Sequence, residues 1–257
     1  MRFAFLLIIL TFLANALIVT DLDSQQALNP VQPIPHINIP IVNQPQDYSA
    51  TISNVDPNKI IPSNYYNNYG SYPCSKYKDV FEQAASTPVV QGKSLNSYGF
   101  DGAILGAIAS WESSCGKSMI GYSGGDFGLM QINIKNFRSC GIANSQDAVN
   151  DYEKNAECAA RLLVENLQEV LKYHLSGIDT LTIALYGYNS GYSSAIASYF
   201  ARGYPMQKAF STGCTASFCT QPHRVSYPSN VLRNMPQSDL GGFLAYADSN
   251  RRSTNYG

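Results

Sequence analysis

The hydrophobic and polar positions along the chain separate an apolar start, a long polar stretch and a region of helical periodicity. After Met1 and Arg2, residues 3–13 form an apolar run broken only by one threonine, and residues 14–16 read Ala-Asn-Ala. A short apolar run between a positive charge and a small-x-small site is typical of a secretory signal. It is shorter than the roughly 20 apolar residues that cross a membrane. We therefore predict a signal peptide over residues 1–16 and a secreted protein without a membrane span.

The polar stretch covers residues 17–73 and shows neither helical nor alternating periodicity. It is rich in proline, asparagine and glutamine, and it ends in a group of tyrosines at residues 65–72. Such a composition buries too little apolar surface to fold alone, so we predict a disordered linker. The tyrosines could stack on sugars, although a spacer is the simpler interpretation. The weak pattern of residues 236–257 predicts a flexible tail, which leaves one domain over residues 74–235.

Helical periodicity is strongest in two segments of this domain. Residues 101–112 place apolar side chains around most of a helix, which predicts a buried helix of about three turns. Residues 147–173 have one apolar face and one charged face, as a long amphipathic helix does. Further helices are predicted over residues 179–186 and 193–202, and a short hairpin over part of residues 113–146. The apolar positions that carry the first two predictions are Ile104, Leu105, Ala107, Ile108 and Trp111, and Tyr152, Ala156, Ala159, Leu163 and Val170.

All six cysteines lie in the predicted domain, and none lies in the linker. An even number behind a secretory signal favours three disulfides, although six cysteines allow 15 pairings and the sequence alone selects none. Cys214 and Cys219 are close enough in the chain to close one loop. A zinc site is a poor alternative, because there is no Cys-x-x-Cys pair and the three histidines are scattered.

The charge balance excludes some partners. The chain has 17 basic and 18 acidic side chains, and its basic residues form no extended run. A nucleic-acid-binding protein would present a basic face, so we expect no nucleic-acid partner. A carbohydrate fits better, since its apolar faces stack on aromatic rings.

Glu112 is the candidate catalytic residue. It comes at the end of the predicted buried helix, where a partly desolvated carboxyl would favour its protonated form. A general acid needs that form near neutral pH. An ordinary polar end of a buried helix is the alternative interpretation of Glu112 taken alone.

Two short motifs beside Glu112 resemble known functional motifs only in part. Gly116, Lys117 and Ser118 resemble the end of a phosphate-binding loop, but the position of its first glycine holds Trp111 and no strand precedes it. Ser114 and Lys117 match the Ser-x-x-Lys of penicillin-binding enzymes, but no Lys-Thr-Gly follows. We therefore expect neither nucleotide binding nor an acyl-enzyme, and no cofactor.

Three segments taken together resemble the lysozyme-like domain of soluble lytic transglycosylases. They are AIASWESSCGKS at residues 107–118, GGDFGLMQIN at residues 124–133 and ALYGYNSGY at residues 184–192. They stand in the family's order and at similar gaps, and the resemblance covers about residues 98–205. It implies a mainly α, lysozyme-like fold of α+β type, with a catalytic cleft, a small loop or hairpin region and stabilising disulfides.

The resemblance also implies which residues act. Glu112 would be the catalytic acid, and the turn before Gln131 would cross the cleft opposite it. The substrate-binding residues would be Ser113, Met130, Gln131, Tyr188 and Asn189. The alternative interpretation places Met130 in the core and makes Asn189 a helix cap. Three features depart from the family: the six cysteines, Gly187 where alanine is usual, and the polar leader. A disulfide between residues 140 and 158 would join the loop after the turn to the long helix.

The substrate implied is peptidoglycan, at the β-1,4 bond between N-acetylmuramic acid and N-acetylglucosamine. The expected reaction is a transglycosylation without metal or cofactor, and its product carries a 1,6-anhydro sugar. We expect the enzyme to be a monomer. Asp126 leaves a second possibility, because DFGLMQIN also resembles the turn of animal lysozymes that carries their second carboxylate. A hydrolytic lysozyme would use both carboxyl groups. A lysozyme-like module that binds glycan without cutting it is the third possibility.

Overall fold

The structure, a computed structural model, describes residues 72–214 and 225–254. The predicted signal peptide and all but the last two residues of the predicted linker lie outside these ranges, and both stay predictions. Tyr72 and Pro73, which end the predicted linker, are half-buried against the domain. In the described ranges no helix combines the length and the apolar character that crossing a membrane requires.

The described residues are mainly helical, as predicted. Two short strands form the only sheet found among them, an antiparallel pair of β1 (Asp126–Phe127) and β2 (Ile132–Asn133). The helices are α1 (Lys78–Ser86), α2 (Ala103–Glu112), α3 (Ser145–Asn150), α4 (Tyr152–Leu171), α5 (Gly177–Ser190), α6 (Ser193–Ala201), α7 (Met206–Thr212), α8 (Tyr227–Asn234) and α9 (Gln237–Thr254).

Helix α2 lies in the core, as its composition predicts. Every side chain from Ala103 to Ala109 is buried, and α1, α4 and α8 pack around the helix. Trp111 is the exception to the prediction, because its side chain is 45% exposed. It shares a helical stripe with Ile104 and Ile108, but the last turn of α2 has already left the core. Glu112, the last residue of α2, is half-buried.

The long helix predicted over residues 147–173 is divided into two. Asp151 takes a non-helical conformation between α3 and α4, and its side chain accepts a hydrogen bond of 2.9 Å from the backbone of Lys154. An aspartate that caps a helix in this way ends the preceding one. The apolar face of α4 is buried as predicted, except that Tyr152 in its first turn is 39% exposed. Helices α5 and α6 agree with the predictions for residues 179–186 and 193–202, although α5 extends to Ser190.

The hairpin predicted within residues 113–146 is present. Asp126 pairs with Asn133 and Phe127 with Ile132, so residues 128–131 form its loop. Ile120 adds an isolated bridge to Phe127 on the other side.

The predicted disulfide between Cys140 and Cys158 is confirmed, and it joins the segment after the hairpin to α4. A second disulfide joins Cys74 to Cys115, three residues after Glu112. Cys214 is also disulfide-bonded. The described cysteines therefore include no free thiol.

The prediction of a flexible tail over residues 236–257 is wrong for the residues described. Helix α9 buries Leu240, Phe243 and Ala247, and Phe243 stacks on Phe100 at 4.7 Å between ring centroids. Gly242, the second of two adjacent glycines in α9, has a packing role. A Cβ atom on Gly242 would come within 2.2 Å of a backbone oxygen. Only glycine allows the backbone of α9 to come this close to the backbone at Gly99.

A buried carboxyl joins α9 to the start of α2. Asp239 is 2% exposed, and its Oδ1 accepts a hydrogen bond of 2.6 Å from the backbone N–H of Asp101. Burial raises the pKa of Asp239 from 3.8 to about 8, and the neighbouring carboxyl of Asp101 adds to the effect. The folded protein therefore keeps a proton that the unfolded chain loses at lower pH. Between these two pKa values, stability falls as the pH rises.

We predict that Asp239→Asn removes this part of the pH dependence of stability. In the wild type, this carboxyl should increase the unfolding equilibrium constant by at most about tenfold per pH unit within the window. Denaturant unfolding at about pH 5 and about pH 8 measures the change. Asp248→Asn is the control, because Asp248 lies on the same helix and its side chain is 51% exposed. An unchanged pH dependence in Asp239→Asn would contradict the assignment.

Candidate active site

A cleft of about 570 Å³ opens beside the end of α2. Its wall combines residues from α2, the hairpin, α4 and the end of α5. Amide, hydroxyl and carboxyl groups are frequent in it. The polar side chains that line the cleft include Glu112, Ser123, Asp126, Gln131, Asn133, Asn136, Glu165, Asn166, Tyr188, Asn189 and Ser190.

Glu112 reaches this cleft because α2 ends at the cleft wall. Tyr227 of α8 donates a hydrogen bond of 2.7 Å from its Oη to Oε1 of Glu112. Tyr227 is 2% exposed, so the bond lies in an environment of low polarity. Such a bond between a hydroxyl and a carboxyl fixes the orientation of the acid.

A second tyrosine lies parallel to the first. The rings of Tyr188 and Tyr227 are 6.5 Å apart between centroids with an interplanar angle of 15°. Tyr188 donates a hydrogen bond of 2.9 Å from its Oη to the backbone oxygen of Met130. Burial raises the pKa of both phenols well above 10, and the charge of Glu112 adds to the effect. Both hydroxyls therefore remain protonated donors across the physiological pH range.

The hairpin loop owes its shape to one glycine and one buried asparagine. Gly128 has a φ of +84°, and a Cβ atom there would lie 2.2 Å from the backbone oxygen of Ala148. Asn155 of α4 is fully buried beneath the loop. Its amide accepts a hydrogen bond of 2.7 Å from the backbone of Met130 and donates one of 3.1 Å to the backbone oxygen of Phe127. The glycine thus lets the loop rest directly on α3 and α4.

Gln131, Tyr188 and Asn189 line the cleft, where the resemblance placed them. Gln131 has a left-handed φ of 50°, and its amide nitrogen donates a hydrogen bond of 2.8 Å to the backbone oxygen of Gly128. The loop conformation and this bond together hold the Gln131 side chain at the cleft wall.

Ser113 and Met130 differ from the expected position, because neither side chain lines the cleft. Ser113 is 1% exposed, and its hydroxyl donates a hydrogen bond of 2.7 Å to the backbone oxygen of Leu129. The Met130 side chain is fully buried in the core, and its backbone groups bond to Asn155 and Tyr188. Both residues therefore fasten the hairpin to its neighbours. Leu129 and Met130 are both fully buried, so the loop turns its two apolar side chains into the core.

Asp126 lines the same cleft as Glu112. Its Oδ1 accepts a hydrogen bond of 2.7 Å from the amide of Asn133, its partner across the hairpin. Its Oδ2 accepts one of 3.3 Å from the hydroxyl of Ser123. Asp126 thus combines a role within the hairpin with access to the cleft.

The cleft continues into a second cavity of about 660 Å³ between α4 and α6. Glu165, Asn166 and Gly191 line both cavities. Hydroxyl groups are frequent in the second cavity, where the Oη of Tyr173 and the Oγ of Ser194 lie 3.2 Å apart. Ser114 and Lys117, the residues of the rejected Ser-x-x-Lys motif, are exposed and line neither cavity.

Gly187, which departs from the usual alanine, has a packing reason in this chain. A Cβ atom on Gly187 would lie 2.4 Å from the Cβ of Ser193 and 2.7 Å from Oδ1 of Asn166. Ser193 donates a hydrogen bond of 2.6 Å to the same Oδ1. The first turn of α6 thus occupies the space that an alanine side chain would need.

Sequence reasoning missed Tyr227 and Asn155. Asn155 offered a weak signal, because it is a polar residue next to the apolar face of a predicted helix. Tyr227 offered none, since it lies 115 positions from Glu112 in the chain. No group of three or more His, Cys, Asp or Glu side chains within residues 72–214 and 225–254 is arranged to hold a metal ion.

Comparison with protein families matches residues 90–204 to the transglycosylase SLT domain. Comparisons with curated proteins and with solved structures gave no match. The matched range contains α2, the hairpin, α4, α5 and α6, which together form most of the cleft. Residues 90–204 of this chain therefore form a transglycosylase SLT domain.

Proposed function

We propose that this protein is secreted and cleaves the β-1,4 bond between N-acetylmuramic acid and N-acetylglucosamine in peptidoglycan by lytic transglycosylation, as a monomer. The hydrogen bond of 2.7 Å between Tyr227 and Glu112 carries the proposal. It orients one carboxyl group at the wall of a cleft whose amides and hydroxyls suit a sugar polymer. The Cys74–Cys115 and Cys140–Cys158 disulfides and the disulfide-bonded Cys214 fit an oxidising, extracytosolic compartment.

In the first step, Glu112 donates its proton to the oxygen of the leaving sugar. The bond between that oxygen and the anomeric carbon breaks, and the acetamido oxygen of the substrate assists at the carbon. Glu112, now a carboxylate, takes the proton of the C6 hydroxyl, whose oxygen closes the 1,6-anhydro ring. Glu112 ends protonated, so one carboxyl group serves as acid and then as base.

The surroundings of Glu112 support both of its ionisation states. The C-terminal end of α2 and partial burial disfavour a negative charge, which supports the protonated acid. Tyr227 donates to Oε1 and so supports the carboxylate that the second step requires. Because the pKa of Tyr227 is raised well above 10, its proton remains in place through both steps.

We assign substrate binding to Gln131, Tyr188 and Asn189, which line the cleft. Ser113 and Met130, also predicted to bind substrate, act indirectly by holding the hairpin loop. Tyr188 links the two groups, because its hydroxyl bonds to the Met130 backbone and its ring stacks on Tyr227.

A hydrolytic lysozyme is the second candidate, because Asp126 lines the cleft together with Glu112. A retaining hydrolase uses its second carboxylate as a nucleophile or as a stabilising charge. Asp126 bonds through both oxygens to Asn133 and Ser123, an arrangement that suits a residue shaping the hairpin. This observation favours transglycosylation over hydrolysis.

We predict that Glu112→Gln abolishes the clearing of a peptidoglycan suspension while the protein still sediments with the polymer. General acid and base catalysis contributes about 10²–10⁴-fold to a rate, so residual clearing should fall by at least that range. Glu82→Gln is the control, since Glu82 lies on the exposed side of α1 and outside the cleft. Undiminished clearing would exclude Glu112 from the chemistry and favour a binding module.

The products distinguish the two enzymatic candidates. We predict fragments that are lighter by one water than hydrolysis products, because the C6 hydroxyl replaces water as acceptor. Mass spectrometry of the released fragments, with and without borohydride reduction, measures this. Fragments with reducible ends would instead support the lysozyme mechanism, and Asp126→Asn should then abolish their release.

We predict that Tyr227→Phe lowers kcat by about tenfold to a hundredfold with little change in KM. A hydrogen bond to a charged group contributes about 1.5–3 kcal/mol, and the ring itself is retained. Rates of clearing at several polymer concentrations separate kcat from KM. Tyr199→Phe is the matched control, because Tyr199 packs edge to face on Tyr204 outside the cleft. Equal rates in the wild type and Tyr227→Phe would contradict the role given to this hydroxyl.

A further inference from the structure

We propose that the Cys74–Cys115 disulfide is a positioning element for Glu112. It holds residues 114–116, which follow the end of α2, in a left-handed conformation and thereby sets the orientation of the acid. The proposal rests on the proposed role of Glu112 and goes beyond it, because it gives a catalytic purpose to cysteines that the family resemblance does not include.

The backbone after Glu112 is strained. Ser114, Cys115 and Gly116 have φ values of 50°, 57° and 80° in succession. Glycine adopts this region freely, but in Ser114 and Cys115 the Cβ atom comes too close to the following carbonyl oxygen. Strained residues persist only where the surrounding structure imposes the conformation, and they concentrate at functional sites. Something must therefore hold this run of three residues in place.

Hydrogen bonds tie the run both to α2 and to the cleft hairpin. The backbone N–H of Cys115 donates to Ala109 at 3.1 Å, and that of Gly116 donates to the Ser113 hydroxyl at 2.9 Å. The same hydroxyl donates to the backbone oxygen of Leu129 in the hairpin loop. A change in the backbone conformation of residues 114–116 would therefore displace both Glu112 and the hairpin loop that lines the cleft.

The partner cysteine belongs to a strap, residues 72–74, which lies along α2. A Cβ atom on Gly102 would come within 2.5 Å of the Tyr72 hydroxyl, and one on Gly106 within 2.4 Å of the Pro73 backbone oxygen. These two glycines are one helical turn apart, so they form a shallow groove on one face of the helix. The strap rests in this groove and ends at Cys74, which is bonded to Cys115.

The strap is anchored beyond Cys74 as well. The backbone oxygen of Cys74, itself at a left-handed φ of 52°, accepts a hydrogen bond of 2.9 Å from Tyr77. The Tyr77 ring packs against Phe81 and Tyr152, and its hydroxyl lies 2.6 Å from the position of a Cβ atom on Gly116. The disulfide thus connects the strained run to a segment that is fixed on α1, α2 and α4.

The other described disulfide offers a matched comparison. Neither Cys140 nor Cys158 has a positive φ, and neither lines the cleft. The Cys140–Cys158 disulfide lies in the same domain, and its cysteines are 18 positions apart in the sequence, against 41 for Cys74 and Cys115. Its removal should lower stability without changing the run after Glu112.

Three double variants test the proposal: Cys74→Ser with Cys115→Ser, Cys74→Ser with Cys115→Gly, and Cys140→Ser with Cys158→Ser. Each is assayed for kcat and KM on peptidoglycan at a temperature where circular dichroism shows it folded. We expect the first to lose at least about tenfold in kcat with KM nearly unchanged. The second should recover most of this loss, because glycine adopts the left-handed conformation without a tether. The third should keep the wild-type kcat.

Trp111, the single tryptophan of the chain, provides a readout that needs no activity. It precedes Glu112 and is 45% exposed. We expect acrylamide to quench its fluorescence more strongly in the Cys74→Ser, Cys115→Ser variant than in the wild type. Quenching should return toward the wild-type level in the glycine variant and be unchanged in the Cys140→Ser, Cys158→Ser variant.

A full kcat in the Cys74→Ser, Cys115→Ser variant would overturn the proposal. So would a glycine variant that fails to recover, because the disulfide would then act through stability alone. A wild-type protein that does not clear peptidoglycan contradicts the proposed function instead. In that case the fluorescence series alone decides whether the disulfide positions the end of α2.

Discussion

The central constraint in this domain is that α2 is apolar on all sides and yet ends in a carboxylic acid. Burying Ala103–Ala109 on every face requires neighbours all around the helix, and α1, α4 and α8 provide them. The acid in the last turn must then emerge where this packing stops. The cleft is located at that point, so the position of Glu112 follows from the hydrophobic packing of the helix that carries it.

Around that acid, glycines allow helices and loops to pack closer together than residues with side chains would. Gly128 lets the hairpin loop approach α3 and α4, and Gly187 lets α6 approach α5. Asn155 pairs with the loop backbone, which otherwise would leave polar groups buried without partners. The result is a hairpin that lines the same cleft as Glu112 and presents Gln131 and Asp126 to it.

Residues on both sides of the family match complete the site. Tyr227, which bonds to Glu112, follows residues 90–204, and Cys74, bonded to Cys115, precedes them. At the other end of α2, Asp239 of α9 accepts a hydrogen bond from the backbone of Asp101, which lies just before the helix. Both ends of α2 are therefore held by chain segments that lie far from it in sequence.

Local pattern was sufficient for much of this architecture. The apolar periodicity of α2, α4, α5 and α6, the glycines of the hairpin and the identity of the candidate acid could all be predicted, because they depend on residues close together in the chain. The break at Asp151, the order in α9 and the contact of Tyr227 could not. These depend on which surfaces meet after folding, and a periodicity of a few residues carries no information about partners more than 100 positions away.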